Sequence, residues 1–167
     1  TTNHGIGISF AGPNDQKAYE YGLTEAFKHA KTVLVEEFAE GEEFRFLVVD
    51  YKCISIVQRI PANVVGDGKH NIGELIDLKN EDPKYYKFFE TYTIKKTATE
   101  LRNLKSQGLT LKSIPKKNHQ IFLRTNSNVG TGGDALEVSE KIHKSYKHLA
   151  EQAAKILQIH PFTILKY

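Results

Sequence analysis

The chain has 167 residues, 40% hydrophobic and 26% charged, with 23 lysines and arginines against 20 acidic residues and a net charge of +3. These values suit an ordinary soluble globular domain with room for one core, and the charge is too small to argue for a nucleic-acid partner by itself. No apolar run is long enough to span a membrane, no charged-then-apolar leader is visible, and the single cysteine, Cys53, has no internal disulfide partner. The expected setting is therefore cytoplasmic, without a membrane partner.

In chain order, "TTNHGIGISFAG" reads as strand, loop, strand, with Thr2, Asn3, Gly5 and Gly7 in the loop. From Asn14, a candidate cap, Tyr19, Leu23, Ala26, Phe27 and Ala30 recur at helical spacing. "TVLVEEF" (Thr32 to Phe38) is β-branched and aromatic, which predicts a strand. "EFRFLVVDYKCISIVQRI" predicts a hairpin turning near Asp50–Lys52 in a mostly antiparallel sheet. Asn71 followed by Glu74 has capping-box spacing, with Ile72, Leu75, Ile76 and Lys79 on one face and Pro83 as the stop. Thr97 and Glu100 repeat that spacing, with Leu101 and Leu104 expected to be buried and Gly108 to end the helix. "HQIFLRT" predicts a strand. A long amphipathic helix is expected from Ile142, Tyr146, Leu149, Ala153, Ile156 and Leu157, and "FTILKY" predicts a closing strand. Without repeats, linkers or low-complexity segments, strands alternating with helices around a hairpin predict an α+β domain.

Chemistry can reside in few places. Two glycine-rich loops, "TNHGIGIS" and "NSNVGTGGD", allow successive N–H groups to converge on a phosphate or carboxylate, although glycines more often mark plain turns. Arg124, before the second loop, suits bidentate binding of such a group or a surface salt bridge. "VLVEEFAEGEEFR" follows an apolar run with several carboxylates that could hold ribose hydroxyls or a metal, or simply face solvent. Within it, Glu43 and Arg45 share one strand face. Charge is uneven: six acidic residues against one arginine between Glu36 and Asp50, and nine basic against two acidic between Lys84 and Lys117. The basic segment reads first as a solvated surface. The seven histidines lack metal-site spacing, so no metal ligand is assigned. "GDGKH" lacks the Walker pattern, and Cys53, in an alternating strand, reads as core.

Taken in order, "VLVEEFAEGEEFRFLVVD", "RIPANVVGDGKHNIGELIDLKNEDP", "QGLTLKSIPKK" and "FLRTNSNVGTGGDALEVSE" resemble the ATP-grasp domain of bifunctional bacterial glutathione synthetases. These fuse a glutamate–cysteine ligase to a glutathione synthetase, and cyanophycin synthetases are similar in the same region. The resemblance runs from Thr1 to about Lys155. It implies a partial ATP-grasp fold with mostly antiparallel sheets and flanking helices, incomplete at both ends. Residues 1–60 would belong to the nucleotide-binding subdomain and 61–167 to part of the second.

The implied reaction joins γ-glutamylcysteine and glycine using ATP, through an acyl phosphate, to give glutathione, ADP and phosphate. Magnesium would neutralise the phosphates. The resemblance places Thr2, Asn3, Gly5 and Gly7 over the ATP phosphates, Glu36, Glu37 and Ala39 at the adenine edge, and Glu43 at the ribose. Arg124 and Asn126 would serve catalysis, and Arg59, Asn128, Thr131, Gly132 and Gly133 would line the substrate site.

Departures from the family pattern accompany the likeness. The family's ATP-contacting lysine lies upstream of "TTN". "DPKYYKFFETYTIKK" stands where the family has arginine-glycine after "DP", and Leu165 falls near the family's magnesium-binding aspartate. Magnesium ligands are thus expected outside this chain. The sequence supports either a piece of a larger ligase, inactive alone and possessing the rest of the parent polypeptide as partner, or a non-catalytic nucleotide-binding module. Cyanophycin-type ligation, a nucleic-acid binder using the Lys84–Lys117 segment, and a homo-oligomeric state also remain open, with nucleic acid the least favoured.

Overall fold

The computed structural model describes residues 8–37, 41–86, 92–158 and 162–166. Two compact units divide the chain, Thr1–Gly41 and Glu42–Tyr167. Of the expected site residues, Thr2, Asn3, Gly5, Gly7 and Ala39 lie outside the described residues.

The first unit contains helix α1, Gln16–Phe27. Its cap is Asp15 rather than Asn14. Asp15 Oδ1 accepts from Ala18 N–H at 3.0 Å, while Asn14 sits one residue earlier at φ 68°, a conformation that asparagine tolerates. Residues 8–12 and 33–37 are irregular, so the strands expected there do not form within the described residues. A β-branched run still needs a neighbouring strand to satisfy its backbone, and sequence preference does not supply one.

In the second unit, β1 (Glu43–Val49) and β2 (Lys52–Ile60) form the expected hairpin, in register from Glu43↔Arg59 to Val49↔Lys52. Asp50 and Tyr51 at the turn both have positive φ (46° and 59°). That is the conformation whose twist matches a two-residue hairpin. Strands β5 (Asp134–Glu137) and β6 (Phe162–Lys166) complete an antiparallel sheet in the order β5-β2-β1-β6. Helix α5 (Lys144–Ile156) packs on this sheet through Ala150 and Ala154, which join Phe46, Val48, Ile56 and Val138 in one core. The helix forms as expected, but its large apolar residues are not the buried ones: Tyr146, Leu149, Ile156 and Leu157 are all exposed. Small alanines let the helix axis approach the sheet, so the contact line is set by residue size as well as by hydrophobicity.

A second core lies around β3 (Asn63–Val65) paired with β4 (Gln120–Phe122), with α2 (Ile72–Glu81) and α4 (Ala98–Ser106) packed alongside. Both predicted capping boxes form. Asn71 Oδ1 accepts from Glu74 N–H (3.0 Å), and Glu74 Oε2 accepts from Asn71 N–H (2.8 Å). Glu100 Oε2 accepts from Thr97 N–H at 3.0 Å. Leu104 is buried, whereas Leu101 is exposed, contrary to expectation. Helix α2 ends before Pro83, which opens a short helix α3, Pro83–Tyr86, as the restriction on pre-proline residues requires. Among the described residues no helix is long and apolar enough to cross a membrane.

Candidate active site

Strand β4 delivers Arg124 to the start of the glycine loop, and the loop closes where β5 begins. Arg124 is held from behind. Its Nε donates to Glu100 Oε1 at 2.5 Å, and the pair is withdrawn from water, with side chains 19% and 0% exposed. Glu100 therefore has two duties, since its other carboxylate oxygen completes the cap of α4. This is neither of the sequence readings of Arg124 taken alone: the guanidinium is in a salt bridge, but the bridge is buried. A carboxylate at zero exposure must be paired and hydrogen-bonded to remain charged. The capping spacing was the one sequence signal for Glu100, and it gave no hint of Arg124.

The loop itself is built from its own bonds. Asn128 Oδ1 accepts from Gly130 N–H (2.9 Å), and Asn128 O accepts from Thr131 N–H, Gly133 N–H (both 3.1 Å) and Thr131 Oγ1 (2.9 Å). Gly132 N–H donates to Val129 O at 3.0 Å. Four consecutive amides, those of Gly130 to Gly133, thus donate within the loop. The glycines permit close approach of the loop to the surrounding protein. Gly132 has φ +88°, and a Cβ there would lie 2.4 Å from Ile94 Cγ1, while one on Gly133 would lie 2.7 Å from Ile60 O. Asn126 is half-buried within the loop.

On the hairpin side, Arg59 grips the same loop. Its Nε and Nη2 donate to Ser127 O at 3.2 and 3.1 Å. The Ser127 hydroxyl donates to Glu43 Oε2, and Arg45 Nε lies 3.6 Å from Glu43 Oε1. Burial lowers the Arg59 guanidinium's pKa, neighbouring Arg45 pushes the same way, and Glu43 opposes both. Arg45 Nε is itself buried without a hydrogen-bond partner among the described residues. So Glu43, Arg59, Asn128, Thr131, Gly132 and Gly133 are brought together around one loop, with Arg124 at its entrance. Glu36 and Glu37 are exposed in the other unit. Ser127 carried no sequence signal beyond its place among small polar residues.

Two other candidates resolve plainly. Burial and Glu151 raise the Cys53 thiol, which keeps it protonated and unsuited to attack. In "GDGKH", Asp67 accepts from the Lys69 and His70 amides (2.8 and 2.9 Å) and contacts the His70 ring at 2.5 Å. That loop is closed around an aspartate, not around a phosphate. Among the described residues no three His, Cys, Asp or Glu side chains are grouped to hold a metal.

Antiparallel sheets flanked by helices, with a glycine loop braced between two arginines, make an α+β domain, and its likeness to a solved glutathione synthetase makes it a partial ATP-grasp fold. No protein-family profile matches the chain. Over 95% of its length it is 43% identical to the glutathione biosynthesis bifunctional protein GshAB of Clostridium perfringens, and 40% identical to that of Desulfotalea psychrophila. A crystal structure of a bifunctional glutathione synthetase from Pasteurella multocida superposes with a TM-score of 0.67 at 35% identity, covering 99% of this chain and 23% of that one. The chain is thus a relative of one segment of the bifunctional glutathione synthetases, and it spans about a fifth of the length of the curated relatives it matches.

Proposed function

We propose that this chain is the part of an ATP-dependent carboxylate–amine ligase that carries the acyl-phosphate side of the site, acting on γ-glutamylcysteine and glycine. The observation that carries this reading is the likeness to the GshAB proteins along almost the whole chain, glycine loop included. In the reaction a carboxylate oxygen attacks the γ-phosphorus of ATP and ADP leaves. The amine nitrogen then attacks the acyl carbon, loses a proton and expels phosphate. Negative charge grows on the transferring phosphoryl group and on the tetrahedral intermediate, so fixed cations have most effect there.

Arg124, pre-aligned by Glu100, meets that demand with no reorganisation, and Asn126 beside it offers an amide donor. Arg59, whose guanidinium holds Ser127 O, would line the substrate site, and Glu43 would meet the ribose hydroxyls. Asn128 and Thr131 contribute by holding the loop, with Gly132 and Gly133 forming its rigid back. Glu36, Glu37 and Ala39 would meet adenine, and Thr2, Asn3, Gly5 and Gly7 would cover the phosphates. Among the described residues no three His, Cys, Asp or Glu side chains are grouped for a metal, and the ligands of the magnesium that this reading requires would come from outside this chain. The reading also carries a cytoplasmic setting, where ATP is abundant and Cys53 stays reduced.

Supplying the full-length protein with ATP, magnesium, γ-glutamylcysteine and glycine should yield glutathione and ADP in equal amounts. Arg124→Ala should lower kcat by roughly 100-fold or more, as removal of a transition-state donor does. Nucleotide binding without any product would overturn the ligase reading in favour of a non-catalytic module. Turnover only with aspartate–arginine acceptors would replace γ-glutamylcysteine as the substrate.

A further inference from the structure

The end of α2 reaches the glycine turn by two separate arms. Lys79 Nζ donates to Asp134 Oδ2 at 2.9 Å and to Asn63 O at 2.9 Å. Asn63 Nδ2 donates to the same Asp134 oxygen at 2.8 Å and to Pro61 O at 2.8 Å. Asp134 directly follows Gly133 and pairs with Ile60 in the sheet, so this node fixes the exit of the turn. The next residue on the helix, Asn80, holds the other side. Its Oδ1 accepts from Ile94 N–H and its Nδ2 donates to Ile94 O, both at 2.9 Å. Ile94 is 4% exposed and is the residue against which Gly132 is pressed.

The chemistry of the node speaks for position over stability. Lys79 and Asp134 side chains are only 13% and 10% exposed, and Asp134 Oδ1 is buried without a hydrogen-bond partner among the described residues. A desolvated ion pair with an oxygen unsatisfied contributes little or no net stability compared with apolar packing, but it tolerates only one geometry. Asn80 similarly satisfies both backbone groups of a residue that lies in no strand, and so fixes where Ile94 presses.

We infer that Lys79, Asn80 and Asp134 are positioning residues that hold the Gly130–Gly133 turn, and through it Asn126 and Asn128, in the geometry the reaction needs. The kinetic part of this inference rests on the ligase reading above; the mechanical part does not.

The test uses the full-length protein and the variants Asn80→Ala and Asp134→Asn. The milder Asn80→Asp retains the acceptor for Ile94 N–H and loses only the donor to Ile94 O, so a folded variant is at hand. Asn71→Ala serves as control, because it loosens the far end of α2 without touching the clamp. Amide hydrogen exchange of Gly130–Gly133 without substrates should quicken by about tenfold or more in the clamp variants and stay unchanged in the control. Their kcat should fall by roughly 100-fold, with KM for ATP within about threefold of the parent, as misplacement of reacting groups without loss of ground-state binding predicts. Unchanged loop exchange in all folded clamp variants would overturn the inference, whether or not the parent protein turns over. Faster exchange with undiminished kcat would overturn the positioning role. A parent protein without turnover would instead overturn the ligase reading, leaving the exchange arm to decide the mechanical claim.

Discussion

The apolar core behind the hairpin and the surroundings of the glycine loop are held together in different ways. Behind the hairpin, Phe46, Val48, Ile56 and Val138 meet Ala150 and Ala154 of α5, and the contact is apolar. Around the glycine loop, burial is shared with charge: Glu100 with Arg124, Lys79 with Asp134, and Glu43 with Ser127 and Arg45. Apolar packing is strong but weakly directional, so it suits a scaffold. Hydrogen-bonded charge is costly to desolvate and highly directional, so it suits a loop whose shape must be single.

The comparison is broken most severely by removing one partner of a buried pair. Glu100→Ala leaves the Arg124 Nε unpaired and should cost about 4 kcal/mol in urea unfolding. The double variant Glu100→Leu with Arg124→Met should recover most of that stability but none of the activity. A loss below about 1 kcal/mol for the single variant would mean that the pair is not the brace described here. In the apolar core, Ile56→Ala should cost about 3 kcal/mol by lost burial and cavity formation, with kcat per folded molecule unchanged. If Ile56→Ala slowed turnover as much as Glu100→Ala, the hairpin core and the loop surroundings would not differ in kind.

Gly132→Ala sharpens the contrast on a smaller scale. It places a side chain at φ +88° and against Ile94, and should cost about 2 kcal/mol of stability along with a clear fall in kcat. The smallest effect belongs to the Asp67 turn between β3 and α2. Hydrogen bonds from the His70 ring, then from the His70 and Lys69 amides, hold the Asp67 carboxyl far below its usual range. A depressed folded pKa contributes stability that is complete above the unfolded value of about 3.9 and is lost as pH falls below it. An NMR titration of the Asp67 carboxyl carbon should therefore remain flat through pH 4. A midpoint near the ordinary value would remove the turn's claim to be pre-formed.

What the sequence disclosed follows the reach of each interaction. The hairpin was legible because its turn and alternation are local, and both capping boxes because their partners are three residues apart. The loop's importance was legible from its glycines, but their purpose was not: Gly132 and Gly133 crowd Ile94, Ile60 and Asn128, contacts that no local rule predicts. Arg124 could be singled out, yet Glu100, its partner 24 positions away, could be read only as a cap. Periodicity identified α5 but not its buried line, since alanines rather than the larger side chains meet the sheet. Lys79 and Asn80 were the hardest to find. Lys79 reads from the sequence only as a residue on the apolar face of its helix and Asn80 carries no signal, because the strand and loop they hold come from distant parts of the chain.

One isotope experiment tests directly whether the chain holds the acyl-phosphate side of an amide-forming site. The full-length protein is given ATP, magnesium, glycine and γ-glutamylcysteine whose cysteinyl carboxylate carries heavy oxygen. If that carboxylate is phosphorylated before the amine attacks, one heavy oxygen is transferred to each inorganic phosphate released, and Arg124→Ala suppresses the transfer together with product formation. Glutathione formed with no label in the phosphate would contradict the account.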